Sequence, residues 1–126
     1  MNIDYITNEM DIIFDPKYNS PLNPKLISSY KKIIFSDYEL NDGLFEAYKN
    51  NNWQNFNYTG SKFNQPLGNS LDNCTVLTHI VFGEWFNQPL YNSLDNCTSL
   101  THIVFGNDFN CSLSNSLDNC TLLTHI

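Results

Sequence analysis

Apolar residues recur along this chain in a fixed cadence, Leu-x-x-Ile-x-Phe, seen at Leu77, Ile80 and Phe82 and again at Leu100, Ile103 and Phe105. Ile and Phe on alternate residues predict a short strand with one face inward, and the same segments should pair in parallel from one unit to the next. After each strand, Phe86, Leu90, Leu94, Cys97 and Leu100 follow at spacings of four, four, three and three. That spacing predicts a return limb of turns and a short helical piece with these side chains facing inward. Pro66 and Pro89 set the turn after the strand, and Ser70, Ser93 and Ser116 are expected to cap a single helical turn. Phe63, Phe86 and Phe109 are equally spaced, and Cys74, Cys97 and Cys120 share their interval, as do His79, His102 and His125. A period of this length marks stacked units, each too small to bury its own apolar face.

The cadence extends backwards. Trp53, Phe56 and Tyr58 fit it, as do Tyr30, Ile33 and Phe35, and then Ile12 and Phe14. Phe14, Phe35, Tyr58, Phe82 and Phe105 follow one another at close to the same interval. Aligning Ile12–Leu22 with Ile103–Leu113 puts Tyr18 in the Phe phase, Leu22 in the Leu phase, and Leu26 in the phase of Leu94. The expected organisation is therefore an N-terminal cap over residues 1–11, divergent repeats over 12–62, and regular repeats of one fixed period over 63–126, the last one truncated. Residues 40–48 read as a short helix with Leu44, Phe45 and Tyr48 on one face and Asn41 or Asp42 as its cap. The fold class expected is an α/β repeat solenoid, with short parallel strands on the concave side and turns and short helical segments on the convex side.

Composition narrows the partners. Six lysines, no arginine and thirteen acidic residues give a net charge of -7, which disfavours a nucleic-acid backbone and an anionic membrane surface. No apolar run approaches the roughly 18 residues of a spanning helix. The N-terminal sequence carries acids and no long apolar core, unlike a signal peptide, so a reducing, cytoplasmic setting is expected. Cys74, Cys97 and Cys120, at one phase of the repeat, read as small buried hydrophobes, whereas Cys111 replaces the Gln of the FNQPL segment. N-x-S/T sequons at Asn57, Asn73, Asn96, Asn110 and Asn119 have no expected role in that compartment. The abundant Asn is read as turn residues.

The segments FNQPL at Phe63 and Phe86, NSLDNCT and LTHIVFG resemble the FNIP repeat, a family of short units known from social amoebae and from giant viruses of amoebae. The match covers residues 63–126. FNIP repeats are grouped with leucine-rich repeats, and the resemblance implies a leucine-rich-repeat-like curved solenoid that binds proteins, in the host cytoplasm if the chain is viral. Many viral relatives carry an F-box ahead of the repeats, which recruits a ubiquitin ligase. The segment ahead of the regular repeats here lacks the Leu-Pro start and leucine-rich helices of an F-box, which disfavours a substrate-adaptor role.

Val81 and the His residues alternate with the inward Ile and Phe, so an exposed concave face is expected from Thr78, His79, Val81, Thr101, His102, Val104, Thr124 and His125. The Gly60, Gly83, Gly106 row is expected beside them. The His column invites a metal reading, since imidazole is a zinc ligand. No Cys or carboxylate recurs beside it, and duplication explains the spacing equally well, so no metal or cofactor is assigned. A pH-responsive surface is a second reading of the same column. Trp85, which stands where the neighbouring units carry Lys62 and Asp108, is a candidate interface anchor. GxSxG, HExxH, a phosphate loop and paired CxxC are all missing, so a non-enzymatic protein-interaction module is the expected function. A functionless, truncated member of a duplicated set is the alternative. An open C-terminal turn at Leu122, Leu123 and Ile126 predicts self-association.

Overall fold

The computed structural model describes residues 3–126. Met1 and Asn2 of the expected N-terminal cap lie outside that range. Five strands, β1 (Tyr5–Thr7), β2 (Asp11–Phe14), β3 (Lys32–Phe35), β4 (His79–Val81) and β5 (His102–Val104), form one sheet in sequence order. β1 runs antiparallel along β2, and every later pair is parallel. Ile12, Ile33, Ile80 and Ile103 fall opposite one another in register, and all four are fully buried on the inner face.

Behind that face two columns of aromatic rings run across the strands. Phe14, Phe35, Phe82 and Phe105 stack at 5.2, 5.7 and 5.7 Å between centroids. Tyr18, Phe63, Phe86 and Phe109 stack at 6.0, 6.0 and 6.1 Å. The columns meet at 4.1 Å between Phe35 and Phe63 and 3.9 Å between Phe82 and Phe86. Near-parallel offset rings of this kind add to the burial energy. Leu67, Leu71, Cys74 and Leu77, with Leu90, Leu94, Cys97 and Leu100 one unit later, complete the core.

The return limbs are hydrogen-bonded turns and not helices. Ser93, Asp95 and Cys97 donate their N–H groups to the carbonyls of Leu90, Asn92 and Leu94. Ser70, Ser93 and Ser116 therefore head no helix, and the last two are buried within the turns. A short helix, α1 (Pro24–Ile27), occurs only in the first limb, where Asn23 accepts from the Lys25 N–H and Pro24 occupies the first helical position. Burial pushes the Cys97 thiol up to about 12 and Cys74 to about 11. The Cys97 and Cys120 thiols face the carbonyls of Leu71 and Leu94.

The FNQPL segments join successive limbs through their polar residues. The Asn64 N–H donates to Asn19 Oδ1 (2.9 Å), Asn87 to Asn64 (2.9 Å) and Asn110 to Asn87 (2.7 Å). Gln65 and Gln88 donate to the same side-chain oxygens, of Asn19 and Asn64. Cys111, in the Gln position, donates its S–H to Asn87 Oδ1 at 3.3 Å. The Asn at this phase is thus a connector between limbs rather than a generic turn former.

Residues 36–60 leave the repeating path, which corrects the assignment of Trp53, Phe56 and Tyr58 to a strand. β3 pairs directly with β4, and Tyr58 is 52% exposed, bridged antiparallel to Tyr38. The excursion carries α2 (Leu44–Asn50), headed by Gly43 without a side-chain cap. Asn41 makes a turn before it, accepting from the Gly43 N–H, and Asp42 does not cap it. Leu44, Ala47, Tyr38, Phe45, Tyr48, Trp53 and Phe56 pack onto Ile13 and Ile34, on the outer face of the sheet.

Asn87→Ala is expected to lower stability by about 1 kcal/mol, by taking the acceptor from Asn110 and Cys111. Asn92→Ala, outside the connector column, should shift the urea midpoint by less than half as much.

Candidate functional site

Strand register brings the expected surface residues together on the outer face. His79 faces His102 and Val81 faces Val104, and His125 is bridged to His102. Each Thr hydroxyl reaches the carbonyl one unit earlier: Thr78 to Lys31 (3.1 Å), Thr101 to Thr78 (3.1 Å), Thr124 to Thr101 (3.3 Å). Each also lies 2.8 Å from Nδ1 of the following His. One hydroxyl proton cannot serve both contacts. Donation to the carbonyl requires the ring to donate from Nδ1–H, which leaves Nε2 as the free acceptor.

The three imidazoles stack at 4.2 and 4.1 Å between centroids, with planes within 8°. Ring lone pairs lie in the ring planes, so those of a parallel stack do not converge on one ion. Burial first, and then the neighbouring charges of His102 and Lys32, lower His79 to about 4, with Asp11 pulling the other way. His102 is lowered by desolvation and by His125.

The face is less open than expected. Thr78, His79, Thr101 and His102 are half-buried, Val81 is half-buried against the excursion, and Val104 remains 47% exposed. The glycine row is closed as well. A Cβ on Gly83 would run into the Ser61 side chain and Asp37, and one on Gly106 into the Gly83 backbone. These glycines serve close packing between units. Trp85 is half-exposed in the loop after β4, with Lys62 Nζ 5.7 Å from its ring, and it lines neither cleft beside α2.

Those clefts flank α2. One, of about 540 Å³, runs between Met10, Lys32, Lys49 and His79. The other, of about 350 Å³, lies between the aromatic cluster and the outer ends of β4 and β5. Its walls are Tyr38, Trp53 and Tyr58, its floor is Val81 and Val104, and Asp37 and Glu84 stand at its rim.

Asp37 closes the neck of the excursion. Its carbonyl accepts from the Thr59 and Gly60 N–H groups, and its Oδ1 accepts from Ser61 (2.7 Å) and Glu84 (2.8 Å). Burial raises its carboxyl above the usual range, against those two hydrogen bonds and with the Glu84 charge adding. Tyr48 donates to Ser36 Oγ (3.1 Å) and accepts from the Asp37 N–H (3.3 Å), and burial pushes its phenol up to about 12. Tyr58 donates to Glu84 Oε2 at 2.9 Å, and burial and this bond push its phenol far up. Sequence reasoning passed over Asp37 and Glu84, and read Tyr48 only as part of a helix face and Tyr58 only as part of the repeat cadence. The available signal at Glu84 was a departure from the regular repeat, since Asn107 occupies its phase one unit later.

Comparison with protein-family models, curated proteins and solved structures finds no match to this chain.

The pH dependence follows from the His stack. The folded His79 titrates near 4 and the unfolded residue near its ordinary value of about 6.5, so between these the unfolded state holds the extra proton. Stability is then complete above that window and falls as pH drops through it. The thermal midpoint should fall from pH 7 to pH 5, and His79→Gln should flatten the fall. Separately, Asp37→Ala is expected to cost about 2 kcal/mol in urea unfolding, through two backbone donors that lose a charged acceptor.

Proposed function

We propose that this chain is a non-enzymatic protein-binding module, a solenoid of leucine-rich-repeat-like units of the FNIP type that presents its sheet face to a protein partner. The single observation that carries the reading is the fold-back of residues 36–60 over the outer face. This segment is outside the repeat, so duplication does not account for it. It covers Ile13 and Ile34, packs against Val81, and leaves Val104 open beside an aromatic wall.

The recurrence of the same contacts one unit apart supports the solenoid. Asn64, Asn87 and Asn110 connect limbs, and Thr78, Thr101 and Thr124 connect strands. A net charge of -7 favours a protein over a phosphate backbone as partner. The Thr hydroxyls are occupied in holding one strand to the next, which favours a supporting role for them over nucleophilic chemistry.

A photo-crosslinking amino acid placed at position 104 should yield a discrete protein adduct in cells that make the protein. The same group at Tyr91, 74% exposed on the return side, should not. Indistinguishable adduct patterns from the two positions would contradict the assignment of the face.

A further inference from the structure

We propose that the cleft between the 36–60 excursion and the ends of β4 and β5 receives an arginine side chain of the protein partner, with its guanidinium paired to Glu84 and laid against Tyr58. The inference rests on the protein-binding reading above and specifies the chemistry of what that face takes.

Charge is the first argument. Asp37 and Glu84 both line the cleft, and among the described residues no Lys or His does. They are near neighbours, since the Glu84 backbone N–H donates to Asp37 Oδ1, and the Glu84 charge contributes to the upward shift of Asp37. A cation seated beside them relieves that repulsion. The nearby Lys62 is placed on the Trp85 ring, and Lys62 is not among the cleft residues.

Shape and preorganisation are the second. Glu84 is fixed at three points: its N–H is bound by Asp37, its Oε2 accepts from Tyr58, and its carboxylate lies over Gly60, where a Cβ would collide with it. Its Oε1 makes no hydrogen bond among the described residues, and no buried side-chain oxygen there lacks a partner, so this oxygen is open to solvent. A planar cation that pairs with a carboxylate and stacks on an aromatic face is a guanidinium, whereas an ammonium is a compact, strongly hydrated charge. Val81 and Val104 offer an apolar floor to the methylene stem. The Tyr58–Glu84 hydrogen bond is not repeated one unit later, where Asn107 replaces Glu84, so it does not follow from the duplication that repeats His and Thr.

The test uses the full chain carrying Trp85→Phe, which leaves Trp53 in the cleft wall as the only tryptophan. Its fluorescence is followed while N-acetyl-arginine amide, N-acetyl-lysine amide or the neutral N-acetyl-citrulline amide is added. Saturable millimolar binding of the arginine derivative is expected, about tenfold weaker for the other two and for Glu84→Gln, a difference of about 1.4 kcal/mol. Equal responses to arginine and citrulline derivatives would overturn the proposal, and equal tightness for lysine would overturn the choice of guanidinium. Since the probes are compared on one folded protein, the result does not depend on Glu84→Gln folding. Adducts at position 104 that persist undiminished in Glu84→Gln would leave the protein-binding reading in place and remove this one. Saturable arginine binding without any adduct would remove the protein-binding reading and keep the cleft.

Discussion

Everything in this structure depends on one register. Each unit meets its neighbours through donors and acceptors on the units before and after it, and the repeat period is the length of chain after which backbone and side chains return to the same place. The Thr101 and His102 N–H groups meet the carbonyl of Thr78, and those of Thr124 and His125 meet that of Thr101. On the return side the Asn87 and Asn110 N–H groups meet the Asn side chains one unit before. A residue lost or gained inside a unit would misalign the Phe columns, the Asn connectors and the strands together.

Register also places like residues against like, which suits some side chains better than others. Asn offers a donor and an acceptor, so a column of it is self-complementary. Phe rings stack without cost, and Gly83 against Gly106 lets two backbones approach where any side chain would intervene. Cys97 and Cys120 fill the core as buried thiols turned toward carbonyls. In a stack of His, charge on one ring disfavours charge on its neighbour. The packing that orders the imidazoles therefore also holds down the affinity of His79 for protons.

Sequence pattern exposed the register because its apolar residues repeat at fixed spacing, and it located the inner face correctly at Ile12, Ile33, Ile80 and Ile103. It failed at Trp53, Phe56 and Tyr58 for a physical reason. The excursion adds about one unit of chain between Phe35 and Phe82, so its aromatics fall on the expected phase by length alone. Spacing reports that a side chain is apolar, not which surface it covers. Trp53 and Phe56 do pack on the sheet, but on the opposite face, with Ile13 and Ile34. The strands themselves carried no such distinction: Ile13 and Ile34 stand where later units carry Val81 and Val104, which are equally apolar, so the pattern did not say which part of the outer face would be covered. The helix at Leu44–Asn50 was legible from its Leu44, Phe45 and Tyr48 face, whereas the carboxylate closing its loop was not, since Asp37 acts through partners 24 and 47 residues away.

In an array maintained by register, residues that repeat are constrained by their own neighbours and carry little information about a ligand. Thr78, Thr101 and Thr124 would be retained for strand contacts alone, and so would the Asn and Gly columns. Residues that depart from the repeat are free of that constraint, and whatever holds them must be sought elsewhere. Tyr58 lies in the excursion and Glu84 stands where the next unit carries Asn107, and the two are fixed to each other across 26 residues of chain, at the margin of the part of the sheet face that combines exposed Val104 with an aromatic wall. The hydrogen bonds joining strands and limbs are made without that pair, whose own bond ties the excursion to the loop after β4.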